Sequence, residues 1–111
     1  MRNLHPYEKF IPGGLVGYVT ATKYEMTQLL GFEPNAEMDG LPEWHVIPDH
    51  NPALAFTVYA RFVFPQLDNV PVEWHVGGYN DALRVIRQAM RRADWNAAEA
   101  FEATRPLQLA V

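Results

Sequence analysis

Glu43-Trp44-His45-Val46 and Glu73-Trp74-His75-Val76 are the same tetrapeptide, set 30 residues apart in a chain of 111. Side chains alternate between the two faces of an extended strand. Each copy therefore sends Trp and Val to one side and Glu and His to the other. Two strands of one sheet would then share a core face anchored by Trp44 and Trp74 and an outer face carrying Glu43, His45, Glu73 and His75. Between the copies, Pro48-Asp49-His50-Asn51-Pro52 has the composition of a hairpin loop. The apolar run Ala53–Phe64 reads as a long third strand, with Leu54, Phe56, Val58, Ala60, Phe62 and Phe64 on one side. Pro65 ends it, residues 66–69 turn, and the fourth strand spans Val70–Val76, closing at Gly77-Gly78. Three consecutive strands joined by short loops favour a meander.

Outward from this centre, residues 1–13 read as an irregular arm, and Leu15–Thr20 as a short first strand. Thr22 followed by Glu25 matches a capping box. The helix it starts takes an apolar stripe from Tyr24 or Met26 with Leu29 and Leu30, and Gly31 is placed to close it. Residues 35–42 read as a loop rich in turn formers. Asn80 and Asp81 suit the start of a later helix in which Leu83, Ile86 and Met90 recur at helical spacing. Asp94 is placed to cap a further helix over Trp95–Phe101, and Pro106 precedes an apolar tail, 107–111. The expectation is a single small α+β domain over 1–111. Its sheet is four-stranded and mainly antiparallel, ordered β-α-β-β-β-α-α, with the helices packed on one face.

Composition narrows the function classes. The chain is 49 % hydrophobic and 20 % charged, an ordinary globular balance. It contains no cysteine, which removes disulfides and thiolate metal sites and suits a cytoplasmic location. It also contains no serine, so Ser- and Cys-based covalent catalysis is excluded. No apolar run is long enough for a membrane span. Residues 1–78 carry a net charge of −5 and residues 79–111 a net +1. That balance is the reverse of a nucleic-acid binder's basic footprint.

Several segments together resemble one family. They are Ala21-Thr22-x-Tyr24-Glu25-x-x-x-Leu29-Leu30-Gly31-Phe32-Glu33-Pro34-Asn35, Asp39-Gly40, Glu43-Trp44, Ala55-Phe56-Thr57-Val58-Tyr59 and Glu73-Trp74-His75-Val76-Gly77-Gly78. Over about residues 15–90 the pattern is similar to small accessory proteins of tailed bacteriophages, many infecting actinobacteria. Those chains close a β-meander with Trp-His-Ile/Val-Gly-Gly and then a helix. The resemblance implies a non-enzymatic protein made early in infection, in a group without an assigned activity in general. The expected role is a phage-encoded module in the host cytoplasm that modulates a host protein, in host takeover or anti-defence. One departure stands out. Relatives tend to carry a Tyr-Asp-Tyr-Lys-like run after the long strand, and here Ala60-Arg61-Phe62-Val63-Phe64 replaces it.

Four sets of residues are candidates for function. The first is Glu43, His45, Glu73 and His75, which would serve as metal ligands only if they converged within about 2.0–2.3 Å of one ion. A third strand between the two copies holds them about two strand spacings apart, so the preferred reading is a polar outer face with no metal and no cofactor. His45, Tyr59, Arg61 and His75 on that face form one partner-binding surface. Arg84, Arg87 and Arg91 on the late helix form the second, suited to an acidic partner. Gly77 and Gly78 join a strand to a helix start. They read either as a tight reversal or as an anion-holding junction. The favoured function is a non-catalytic binding module. The alternative is a small-molecule or nucleotide sponge, or a metal-dependent enzyme, using the outer Glu/His set. A homodimer is compatible with either.

Overall fold

A computed structural model describes residues 4–11, 13–60, 70–79, 81–93 and 100–102. In chain order the elements are β1 (Leu4–Pro6), β2 (Gly14–Ala21), α1 (Lys23–Leu30), β3 (Ala36–Met38), β4 (Leu41–Pro48), a 3-10 turn (Pro52–Leu54), β5 (Phe56–Tyr59), β6 (Val72–Gly78), α2 (Ala82–Arg92) and β7 (Ala100–Glu102). The two Glu-Trp-His-Val copies lie in β4 and β6, and β5 runs between them. The strands follow the order β1-β4-β5-β6-β2-β7, with β3 also on β4, and every pairing is antiparallel.

The α+β class and the antiparallel sheet agree with the sequence reading, but the strand count does not. Seven strands appear among the described residues where four were expected. Three short pieces make the difference. Leu4–Pro6, within the expected irregular arm, pairs with Val46–Pro48. Ala36–Met38, within the expected loop, pairs back on Leu41–Glu43. There Asp39 and Gly40 take positive φ values of 53° and 81°, the geometry of a two-residue type I′ hairpin. Ala100–Glu102, at the end of the expected second late helix, is instead a strand on β2.

The long third strand is also shorter at its start. Asn51 Oδ1 accepts from the Ala53 N–H at 3.0 Å, and Pro52 occupies the first position of a 3-10 turn. Regular pairing therefore begins at Phe56. The expected stretch 61–64 lies outside the described residues, as do Asn80 and the tail 107–111.

One face of the sheet carries the core. Trp44, Val46, Phe56, Val58, Trp74, Val76, Val19 and Ala21 pack with Met26 and Leu30 of α1 and with Leu83, Ile86 and Met90 of α2. Both helices therefore cover the same face, as expected. The two tryptophans are fully buried and meet edge to face, ring centres 5.1 Å apart. Their indole N–H groups hold the two ends of α1. Trp74 Nε1 donates to Ala21 O at 2.9 Å, just before the helix, and Trp44 Nε1 donates to Phe32 O at 2.8 Å, just after it. Thr22 and Glu25 form the expected capping box, and Gly31 closes the helix at φ 90°. Met26 and Leu30 supply the buried stripe, while Tyr24 is exposed.

The outer edge of β4 is completed from three places. β3 pairs its first residues and β1 its last. Between them, Asn35 meets His45 with its carboxamide. Oδ1 accepts from the His45 N–H at 2.8 Å, and Nδ2 donates to His45 O at 3.1 Å and to Tyr7 O at 3.3 Å. The side-chain amide thus takes the place of a strand residue's peptide group.

Candidate functional site: a groove on the face opposite the helices

Sheet register arranges the outer face. Glu43 stands opposite Tyr59, Tyr59 opposite His75, and His75 opposite Tyr18, so these four form one row across β4, β5, β6 and β2. The His75 ring lies between two tyrosines, 4.9 Å from Tyr18 edge to face and 5.2 Å from Tyr59. The next row places His45 opposite Thr57 and Thr57 opposite Gly77. Within β4, Glu43 and His45 share this face two residues apart, and His45 Nε2 donates to Glu43 Oε2 at 2.5 Å. Both are largely covered, with side-chain exposures of 12 % for Glu43 and 22 % for His45.

Gly77 makes room for this arrangement. A Cβ there would stand 2.8 Å from Thr57 Oγ1 and 3.5 Å from Tyr59 Cε1. The glycine is thus required by the side chains laid over it. Gly78 takes φ 141°, and its own Cβ would stand 3.0 Å from Ala55 O. Both glycines are ladder residues of β6 between β5 and β2; the neighbouring backbone crowds Gly78, and the side chains of β5 crowd Gly77.

Beside this row a groove of about 510 Å³ opens between the β3–β4 hairpin and β5. Met38, Leu41, Pro42 and Ala60 give it apolar walls, Thr57 and Tyr59 close one side, and Asp39 and Glu43 bring carboxylates. Met38 is 60 % exposed although apolar. A second groove, about 420 Å³, lies between the helix ends and β1, lined by Leu4, His5, Leu29, Val85, Ala89 and Arg92 among others.

The structure brings Tyr59, His45 and His75 together on the outer face, as the alternation of β4, β5 and β6 predicts. Arg61 lies outside the described residues. Arg84, Arg87 and Arg91 belong to α2, on the other side of the sheet, so the two expected partner-binding sets are separate surfaces. Arg84 is also engaged locally, its Nη2 donating to Asp81 Oδ1 at 2.6 Å. β5 stands between His45 and His75, and no three potential ligands converge on a metal position among the described residues. Met38, Asp39, Leu41 and Pro42 were not read as site residues from sequence. The Asp39-Gly40 pair was the available signal, because a two-residue hairpin there folds Met38 back beside Leu41.

Comparison with family models, with curated proteins and with solved structures returned no match. No helix among the described residues is long and apolar enough to cross a membrane.

Proposed function

We propose that this chain is a non-catalytic binding module that occupies a surface of another protein through its outer sheet face. The observation that carries this reading is the groove between the β3–β4 hairpin and β5, with Met38 exposed at its mouth and Tyr59 along its side. An exposed large apolar side chain beside a half-buried aromatic and a concave apolar wall is the composition of a binding hot spot. The sequence resemblance to bacteriophage accessory proteins supports a host protein as the partner and the host cytoplasm as the setting, in host takeover or anti-defence.

Affinity capture from host extract tests this with two baits, the wild type and Met38→Lys. The substitution sits at a solvent-exposed strand end and adds charge without removing core packing. A host protein retained by the wild type and lost by Met38→Lys supports the reading. Equal retention by both moves the interface elsewhere.

A second reading has one specific observation behind it. The Glu43–His45 hydrogen bond borders the same groove, and a carboxylate-oriented imidazole is a common proton-transfer unit. A small molecule retained from cell extract in native mass spectrometry, and lost in His45→Ala, would favour a ligand-holding or catalytic role.

A further inference from the structure

The described lining of the groove beside Tyr59 carries charge of one sign. Two carboxylates line it, Asp39 in the type I′ turn and Glu43 on β4, and no basic residue lines it among the described residues. Its walls are apolar groups, the Met38 thioether chain, the Leu41 isobutyl group and the Pro42 ring, with Tyr59 along one side. An apolar wall that leads to carboxylates suits a side chain with an aliphatic stem and a cationic head. Lysine and arginine are built that way and lay their stems along apolar surface while the charge finds a partner. A tyrosine face adds attraction for a cation held against it.

Resting on the reading of this face as the binding surface, we propose that the groove receives an arginine or lysine side chain from a basic segment of the partner protein. The stem lies along Met38, Leu41 and Pro42, the cationic head reaches Asp39 and Glu43, and Tyr59 flanks it. Glu43 is pre-oriented for this by His45, which engages Oε2. The hairpin turn presents Asp39 at φ 53°, a conformation that aspartate and asparagine share.

Titration of the intact protein with acetyl-arginine methylamide, followed by amide NMR, tests the proposal. Acetyl-norleucine methylamide is the matched uncharged probe. The expected result is a set of shift changes confined to residues 38–43 and 57–60, saturating for arginine and weaker for norleucine. Raising the salt concentration weakens the arginine interaction in wild-type protein, a readout that needs no variant to fold. Asp39→Asn keeps the turn and Glu43→Gln keeps an acceptor for His45. Together they raise the arginine dissociation constant by about tenfold or more, as expected for losing a charge-assisted hydrogen bond. Shift changes that map elsewhere overturn the proposal. So do equal responses to arginine and norleucine, or an unchanged constant in the double variant. If a captured partner is lost by Met38→Lys yet is not displaced by the arginine probe, the basic-segment proposal fails while the groove remains the binding surface.

Discussion

Replacement of Asn35 isolates how β4 is held along its outer edge. Asn35 makes three hydrogen bonds to backbone, at 2.8, 3.1 and 3.3 Å. Asn35→Ala removes all three. His45 O keeps the Tyr7 N–H as a donor at 2.9 Å, but the His45 N–H loses its bond to Oδ1. A net contribution of about 0.5–1.5 kcal/mol per bond, with the longest bond counting least, gives a loss of about 2 kcal/mol. Asn35→Asp separates geometry from size. It keeps the acceptor for the His45 N–H but sets a carboxylate oxygen where Nδ2 faced two carbonyl oxygens. At neutral pH the Asp variant is therefore less stable than the Ala variant. Those carbonyls raise the folded-state pKa of the introduced carboxyl above its unfolded value of about 3.9. The Asp penalty is therefore complete above the folded pKa and is relieved as pH falls toward the unfolded one. Urea melts of wild type, Asn35→Ala and Asn35→Asp at neutral and mildly acidic pH measure this. An Ala cost below about 0.5 kcal/mol, or Asp and Ala variants that coincide at both pH values, refutes the peptide-mimic role.

Trp74→Ala costs about 3–5 kcal/mol in urea melts, while His75→Ala, losing two ring contacts, costs about 1–2; equal losses would contradict the face assignment. Gly77→Ala destabilises by about 1–3 kcal/mol through the contact with Thr57 Oγ1, and Thr57→Ala added to it recovers most of the loss in a double-mutant cycle. Thr22→Ala lowers stability by about 1 kcal/mol through the capping box, seen as a lower denaturation midpoint. Arg87→Glu with Arg91→Glu leaves the fold intact and leaves partner capture unchanged, because α2 lies across the sheet from the groove; lost capture would place the interface on the helix.

The central part of the fold was legible because its signals are local and periodic. Alternation in the two Glu-Trp-His-Val copies gave the buried tryptophans. The Thr22–Glu25 spacing and Gly31 gave α1, and Leu83, Ile86 and Met90 gave the buried face of α2. The short strands were not legible because three-residue segments have too few positions to show a period. Leu4–Pro6 is a strand only because β4 offers its edge, and Ala36–Met38 only because Asp39-Gly40 turns the chain back. The Asn35 carboxamide bonds to a residue ten positions away, so no spacing rule points to it. For the site, alternation placed Tyr59, His45 and His75 on one face. The groove needed the β3–β4 hairpin, and with it went Met38 and Asp39.

The patched outer edge of β4 also bears on how this protein avoids self-propagation. An open ladder along eight residues of a strand this apolar would template a further strand from another chain, the first step toward cross-β stacking. Here the ladder is divided among β3, the Asn35 amide and β1, each too short to guide a long incoming segment. The sheet as described ends at both sides in strands of three residues, β1 and β7. An aggregating strand would have to displace three separate anchors, one of them a side chain, before it gained a continuous register.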